Sequence, residues 1–100
     1  MDKKEKAHLL LDALITRFHK EQERSKKNEV LRNVIGLKFK LYRLKKNITA
    51  EAVVQDNKEV FSDVHSLYKF EQGAFQFGKL YTLSHYYNVD VNDLFKLTER

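Results

Sequence analysis

Apolar side chains separated by three or four positions recur along most of the chain, and this spacing constrains its fold more than any other feature. The clearest case extends over four turns: Val30, Val34, Leu37, Leu41 and Leu44. At 3.6 residues per turn, these positions lie on one face of a helix. The chain also lacks proline, contains only three glycines and is rich in Lys, Glu and Leu, which favour helix. These observations predict an all-α fold.

One part of this stretch permits a second interpretation. Residues 37–41 alternate apolar and polar side chains, as a strand does. A strand needs a partner, however, and no second alternating run with a hairpin turn lies nearby. The helical interpretation of Val30 to Leu44 is therefore favoured.

A second amphipathic helix is predicted near the amino terminus, at residues 4–24. Its apolar seam has four members and is widened by two more: Ala7, Leu11, Leu14 and Phe18, with Leu10 and Ile15. Residues 19–28 then contain no apolar side chain, which indicates a solvated helix end, a linker, or both. We therefore expect an N-terminal helical arm at residues 1–28 and a compact domain at residues 29–100.

Capping residues predict where the shorter helices of this domain begin and end. Asn47 can adopt a left-handed conformation at the end of the first domain helix, and Thr49 can cap a helix that ends near Gln55. A loop is expected at residues 74–78, with one Phe turned inward. The helix after it should end at Asn88 and have its inner face at Leu80, Leu83, Ser84 and Tyr87. A capping box at residues 90–93 should then start a last short helix with Leu94 and Phe95.

Residues 62–73 are the stretch from which a function can be argued. Ser62 or Asp63 can cap the start of a helix there, and Gly73 can end it in a left-handed turn. One predicted face carries Val64, Leu67, Tyr68 and Glu71, and the opposite face carries Ser62, His65, Ser66, Lys69 and Gln72. A helix of this kind is suited to a DNA major groove, and the same pattern is also typical of an ordinary solvated surface helix.

Composition and charge argue against several classes of protein. The net charge is +5, with +3 in residues 1–33, +3 in residues 34–61 and −1 in residues 62–100, which is compatible with a polyanionic partner. Cysteine is absent and the four histidines lack metal-ligand spacing, so neither a disulfide nor a metal site is expected. No catalytic motif, membrane-spanning run or secretory signal is recognisable. We expect a soluble cytoplasmic protein that is not an enzyme and requires no cofactor.

Three groups of residues follow one another in a recognisable order. They are Ile35-Gly36, Phe39, Arg43, Lys46-Asn47, Thr49 and Val53; then Leu67 with Phe70-Glu71-Gln72-Gly73; and finally the stretch from Leu80 to Phe95. Their order and spacing resemble the helix-turn-helix domain of phage Cro and lambda-type repressors, also called the xenobiotic-response-element family. The resemblance implies a compact five-helix repressor-type domain, here with an extra N-terminal helix.

The resemblance also implies a function. It indicates a repressor-like transcriptional regulator of phage, plasmid or bacterial origin that binds double-stranded DNA with sequence specificity. Such a regulator would bind as a homodimer to a pseudo-palindrome with half-sites roughly 34 Å apart. The dimer surface would be the N-terminal leucine seam or the tyrosine-rich last helices.

The expected contact residues follow from the same resemblance. The reading helix would present Ser62, Asp63, His65, Ser66 and Lys69 to base edges, while Thr49 holds a phosphate at the start of the preceding helix. Lys45 and Lys46, with Lys38 and Lys40, would form a rim that faces phosphates or is simply solvated. Arg43 and Glu71 match positions that form a partly buried ion pair between the first and third helices of the domain.

Three departures from the family pattern favour an alternative function. Ala50 stands where the family usually has Gln, the segment from Val54 to Glu71 is longer than usual, and Asp63 places a negative charge at the start of the reading helix. A domain that has lost DNA binding would instead bind a protein, as an antirepressor or host-factor inhibitor, through its N-terminal helix or the loop Phe75–Phe77. A structural or toxin–antitoxin role is a third alternative.

Overall fold

The computed structural model describes residues 2–97, and within that range the chain forms six α-helices and no strand. The predicted all-α class is therefore confirmed. The helices are α1 (Lys3–Lys20), α2 (Arg24–Lys45), α3 (Ala50–Asp56), α4 (Val64–Glu71), α5 (Phe77–Tyr86) and α6 (Val91–Leu94). None of the helices in the described range is long and apolar enough to cross a membrane.

Helix α2 is the central element, and it is buried on two faces. Ile35 and Phe39 belong to a larger core shared with α3 to α6, whereas Leu37 and Leu41 belong to a smaller core shared with α1. Residues two positions apart are separated by about 200° around a helix, so Phe39 and its neighbours Leu37 and Leu41 point to different cores. The apolar alternation at residues 37–41 therefore reflects a helix packed on both sides, and the strand interpretation is wrong.

Helix α1 packs against α2 in antiparallel orientation. The carboxylate of Asp2 caps its start by accepting the amide proton of Glu5 at 2.7 Å. Residues 21–23 form the connection, and the Lys27 ammonium on α2 lies 4.7 Å from the centroid of the Phe18 ring. Helix α2 already begins at Arg24, so the predicted division between residues 28 and 29 lies inside this helix.

The buried face of α1 differs in detail from the predicted seam. Ala7, Leu11 and Ile15 are its buried residues, and Leu14 and Phe18 are partly buried at its margins. Leu10 remains 52% exposed, because the contact with α2 is centred on Leu11 and Ile15. Leu10 was expected to widen the seam, and that expectation is wrong.

The capping residues predicted for the shorter helices are found at helix ends, but the capping box predicted at residues 90–93 is not formed, and the helix predicted at residues 4–24 already ends at Lys20. Asn47 and Asn88 have positive φ angles of 55° and 56°, and Thr49 accepts the amide proton of Ala52 at 3.1 Å. The Asp90 carboxylate caps α6 by accepting the amide proton of Asn92 at 2.9 Å. In the loop before α5, Phe75 is the aromatic residue that packs onto the larger core.

The larger core is organised around Phe70 of α4. Its ring centroid lies 5.0 Å from that of Phe39, 5.6 Å from that of Phe61 and 5.3 Å from that of Phe75. Phe70 and Leu67 are fully buried, and each such side chain contributes roughly 2 kcal/mol through the removal of apolar area from water. One face of α4 is thereby committed to the interior.

Helices α2 and α4 approach each other at Gly36. A Cβ atom at this position would lie 2.6 Å from the Glu71 carbonyl oxygen and 2.7 Å from the Gly73 amide nitrogen. Gly73 itself has a φ of +104°, which favours glycine. The chain is held there by Arg32, whose guanidinium donates to the Phe75 carbonyl at 2.9 Å. The backbone of the α4 carboxyl end therefore rests directly on α2.

Gly36→Ala is expected to destabilise the protein by roughly 1–3 kcal/mol, because the neighbouring backbone must move to admit the methyl group. The free energy of unfolding should be measured by urea denaturation followed by circular dichroism at 222 nm. Gly78→Ala is the matched control, since at this position in α5 the added Cβ would meet nothing within 4 Å apart from its own helix backbone and chain neighbours. It should be neutral or stabilising by up to about 1 kcal/mol. Equal effects of the two substitutions would contradict the close approach.

Candidate nucleic-acid interface

The exposed face of α4 carries two polar side chains of the predicted reading set, His65 and Lys69, and a third, Ser62, lies just before the N-cap of the helix. Leu67 and Phe70 on the opposite face are fully buried. Ser62, His65 and Lys69 are exposed, and none of the three side chains has a hydrogen-bond or ion-pair partner among residues 2–97. Tyr68, predicted to be on the inner face, is 44% exposed. This part of the surface is open to a partner.

Asp63 and Ser66 form the capping box of α4. The Asp63 carboxylate accepts the amide proton of Ser66 at 2.8 Å, and the Ser66 hydroxyl donates to the Asp63 carbonyl at 2.7 Å. The hydroxyl proton is therefore used within the helix, and Ser66 retains acceptor capacity only. The negative charge of Asp63 has a structural role, since a carboxylate at a helix start stabilises it.

The expected ion pair between the first and third domain helices is present, and it joins α2 to α4. The Arg43 guanidinium donates to Glu71 through Nε at 2.8 Å and through Nη2 at 3.0 Å. Both residues are buried, with 8% and 6% of their surfaces exposed. The hydrogen bonds to Glu71 raise the pKa of Arg43 above its ordinary value. Because desolvation offsets much of the attraction, the main consequence of this pair is the orientation of α4.

The long segment between α3 and α4 is folded onto the core. Asn57 is 4% exposed, and its side-chain amide donates to the Val53 carbonyl at 2.8 Å. Its own carbonyl accepts the amide protons of Val60 and Phe61, each at 3.0 Å. Phe61 is 1% exposed beside Phe70. The additional length is thus an ordered turn with an aromatic anchor.

The connection between α2 and α3 presents three other residues of the predicted site. Lys45 and Lys46 are exposed at the end of α2, and in the described part of the chain neither forms an ion pair. Thr49 is exposed, and its hydroxyl oxygen caps α3. These residues lie close together in sequence around Asn47, and both cations precede the start of α3.

Lys38 is not available for a phosphate-facing rim. Its ammonium donates to the carbonyls of Asp93 at 2.9 Å, Leu94 at 3.2 Å and Lys96 at 2.6 Å. It thereby binds the carboxyl end of α6, and burial lowers its pKa. The expectation for Lys38 is wrong, because an interhelical contact uses all three of its protons. Lys40 faces the space between α1 and α4 and is half-buried.

A groove between α1, α2 and α4 was not predicted from the sequence. It has a volume of about 800 Å³ and is lined in part by Leu10, Leu14 and Leu37. Its walls come from three separate helices, so it requires the tertiary packing. The available sequence signal was the run Leu9-Leu10-Leu11, of which α1 buries Leu11 and leaves the other two exposed.

Within residues 2–97, no group of three or more His, Asp or Glu side chains is arranged to hold a metal ion. No protein-family model matches the chain, and comparisons with curated proteins and with solved structures give no match. The function therefore has to be argued from the geometry of the chain itself.

Glu71→Ala is expected to cost about 3–5 kcal/mol of stability, because it leaves the Arg43 guanidinium buried without a partner. The double variant R43M/E71L removes both charges at similar volume and should be close to neutral. Urea denaturation of the two variants and the native protein provides the measurement. A large loss of stability in the double variant would contradict the conclusion that the Arg43–Glu71 pair mainly orients α4.

Tyr86 links α5 to α3 through its phenol, which donates to the Asp56 carboxylate at 2.7 Å. Burial and this hydrogen bond raise the pKa of Tyr86 from 10.0 to about 12. A raised pKa in the folded state means that the contribution of this group is complete below pH 10. It is lost as the pH rises from about 10 to about 12, where the folded protein also releases the proton.

We expect the stability advantage of the native protein over Tyr86→Phe to be constant from about pH 8 to 9 and to shrink as the pH approaches 12. The comparison is made by urea denaturation at each pH, with both proteins in identical buffers. Because the lysines titrate equally in the two proteins, their contribution cancels. An advantage that stays constant up to pH 12 would be incompatible with the Tyr86–Asp56 hydrogen bond.

Proposed function

We propose that this chain is a sequence-specific DNA-binding regulator of the Cro and lambda-repressor type, with a repressor-like mode of action. The observation that carries the proposal is the open polar face of α4. The buried residues Leu67 and Phe70 and the Arg43–Glu71 pair hold that face outward. A rigid helix with one face in the core and unpartnered polar groups on the other is the arrangement by which such domains read a major groove.

In this mode α4 lies in the major groove with its amino-terminal half toward the bases. Lys69 would donate to the O6 and N7 atoms of guanine or to a phosphate, and His65 and Ser62 can donate or accept. Ser66 can accept only, since its proton is used in the capping box. Asp63 accepts the Ser66 amide proton through one oxygen, so its second oxygen could accept from a cytosine amine.

Phosphate contacts would come from the connection between α2 and α3. Lys45 and Lys46 supply positive charge beside Thr49 and the first amide groups of α3, a combination suited to a phosphate oxygen. A homodimer would place two copies of α4 in successive major grooves of a pseudo-palindrome. Phe77 and Tyr81 on α5 offer exposed apolar surface for dimerisation.

The experiment is a fluorescence-anisotropy titration against the DNA upstream of the protein's own gene and against an unrelated duplex of equal length. We expect salt-sensitive binding with a preference for the upstream DNA. Lys69→Ala should weaken specific binding by about 1–3 kcal/mol and reduce the preference between the two duplexes. Absence of salt-sensitive, selective binding would count against the proposal.

The double variant K45A/K46A should weaken binding to both duplexes alike and reduce the slope of log K against log salt by about 2. Lys20→Ala is the control, because Lys20 is an exposed lysine at the far end of α1. It should leave the affinity and the salt slope unchanged. If K20A reduced the salt slope by as much as the loss of one lysine in K45A/K46A, binding would depend on total charge alone.

A second candidate is a helix-turn-helix-derived module that binds a protein, as an antirepressor or host-factor inhibitor. Two observations favour it: Asp63 and Ser66 are engaged in capping, and Phe77 and Tyr81 are 67% and 61% exposed with ring centroids 6.4 Å apart. Exposed aromatic residues of this kind are enriched at protein interfaces. A stable complex with a native protein, lost in Phe77→Ala, together with no DNA affinity would favour this candidate.

A further inference from the structure

The groove between α1, α2 and α4 has an apolar floor. Leu37 from α2 is buried at its base, Leu14 and Leu44 are partly buried, and Leu10 rises from α1 with 52% of its surface exposed. On the side of α1 the lining extends from Lys3 to Leu14, a length of about 17 Å or three helical turns. The dimensions suit one face of a short helical segment.

The rim of the groove is positively charged. Lys3 and Lys6 on α1 and Lys40 on α2 line it, and no carboxylate in the described range lies within ion-pairing distance of their ammonium groups. Glu71 is the one acidic residue in the lining, and Arg43 neutralises it. Three cations therefore surround an apolar floor without a counter-charge.

This combination restricts the occupant. Duplex DNA would pair with the lysines but offers little that covers Leu10 and Leu14, so it leaves the floor unexplained. A second copy of α1, crossed antiparallel at Leu10, would bring Lys3 of one copy near Arg17 of the other and repel it. An amphipathic segment with leucine-like side chains on one face and Asp or Glu beside them would cover the apolar floor and pair with the lysines of the rim.

We propose that the groove between α1, α2 and α4 binds an acidic amphipathic helix of another protein. The apolar face of that helix covers Leu10, Leu14 and Leu37, and its carboxylates pair with Lys3, Lys6 and Lys40. Tyr68 of α4 and Gln72 at its carboxyl cap form the opposite wall, so the bound helix contacts the carboxyl-terminal part of the predicted reading helix. Ser62, His65 and Lys69 do not line the groove, and the inference does not depend on DNA binding.

The test uses a fluorescein-labelled synthetic peptide of about 15 residues, with leucines at helical spacing on one face and glutamates beside them. The control is the same peptide with every glutamate replaced by lysine. Titrated with the full chain and followed by anisotropy, the acidic peptide should bind saturably and more weakly as salt rises. The basic peptide should bind at least about tenfold more weakly.

Two adjacent leucines supply matched variants. Leu10 and Leu9 are almost equally exposed, at 52% and 50%, but only Leu10 lines the groove. Leu10→Asp should weaken peptide binding about tenfold or more, whereas Leu9→Asp should change it by less than about twofold. The charge-reversal variant K3E/K6E should weaken the acidic peptide and strengthen the basic one. Circular dichroism is the control, and all variants should retain native helix content.

Several outcomes would overturn the inference. These are no saturable binding of the acidic peptide, equal effects of L9D and L10D, and equal affinity for the acidic and the basic peptide. Sedimentation that shows a dimer disrupted by L10D but not by L9D would assign the groove to a second copy of the chain instead. If K3E/K6E abolished duplex binding and left peptide binding unchanged, the lysines would belong to a DNA surface. Failure of the duplex titration alone leaves the peptide result valid.

Discussion

The direct contact between the backbones of α2 and α4 at Gly36 is the constraint on which the candidate surface depends. A side chain at this position would collide with the Glu71 carbonyl and the Gly73 amide. Seven residues further along α2, about two turns, Arg43 holds Glu71 by two hydrogen bonds. These two attachments, with Phe70 inserted into the core, determine the rotation of α4 about its axis. The side of α4 that faces solvent is a consequence of that rotation.

Helix α2 serves two cores at once, and this gives α1 a role beyond that of an appended arm. One face of α2 packs against α3 to α6, and the other packs against α1 and Leu97. Residues 93–97 are held on this side, because His19 donates to the Leu97 carbonyl at 2.6 Å and Lys38 donates to the carbonyls of Asp93 and Lys96. Helix α1 is thus integrated with the domain, and the groove along it reaches α4.

The charges of the chain are unevenly distributed. Residues 1–61 carry the net positive charge, so an anion would be attracted over long range mainly by the exposed lysines on α1 and at the end of α2. The polar face of α4 has one cation, Lys69. Its other polar side chains are short, and these act only at hydrogen-bond distance. Asp63 opposes an anion at the start of α4 but stabilises the helix there. Its capping role accounts for a negative charge that would otherwise argue against DNA.

The local features of the fold could be read from the sequence because they depend on neighbours within four residues. Helical spacing located the helices, and Asn47, Thr49, Asp63, Gly73, Asn88 and Asp90 marked their ends. The pairing of Arg43 with Glu71 was expected only through the resemblance. The DNA contacts of Thr49, Lys45, Lys46 and the polar face of α4 stay a prediction, because no partner is present.

By itself, the sequence determined an all-helical chain, the caps of its helices and the polarity of each helix face, since all of these follow from periodicity and short-range hydrogen bonds. Only the tertiary structure decided that α2 is buried on both faces, that Leu10 stays exposed and that the Lys38 ammonium is hydrogen-bonded to carbonyls in and after α6. The three bonds of Lys38 join residues 55 to 58 positions apart. Contacts at such separations depend on how whole helices pack, and the sequence pattern of one helix does not indicate which other helices it will contact.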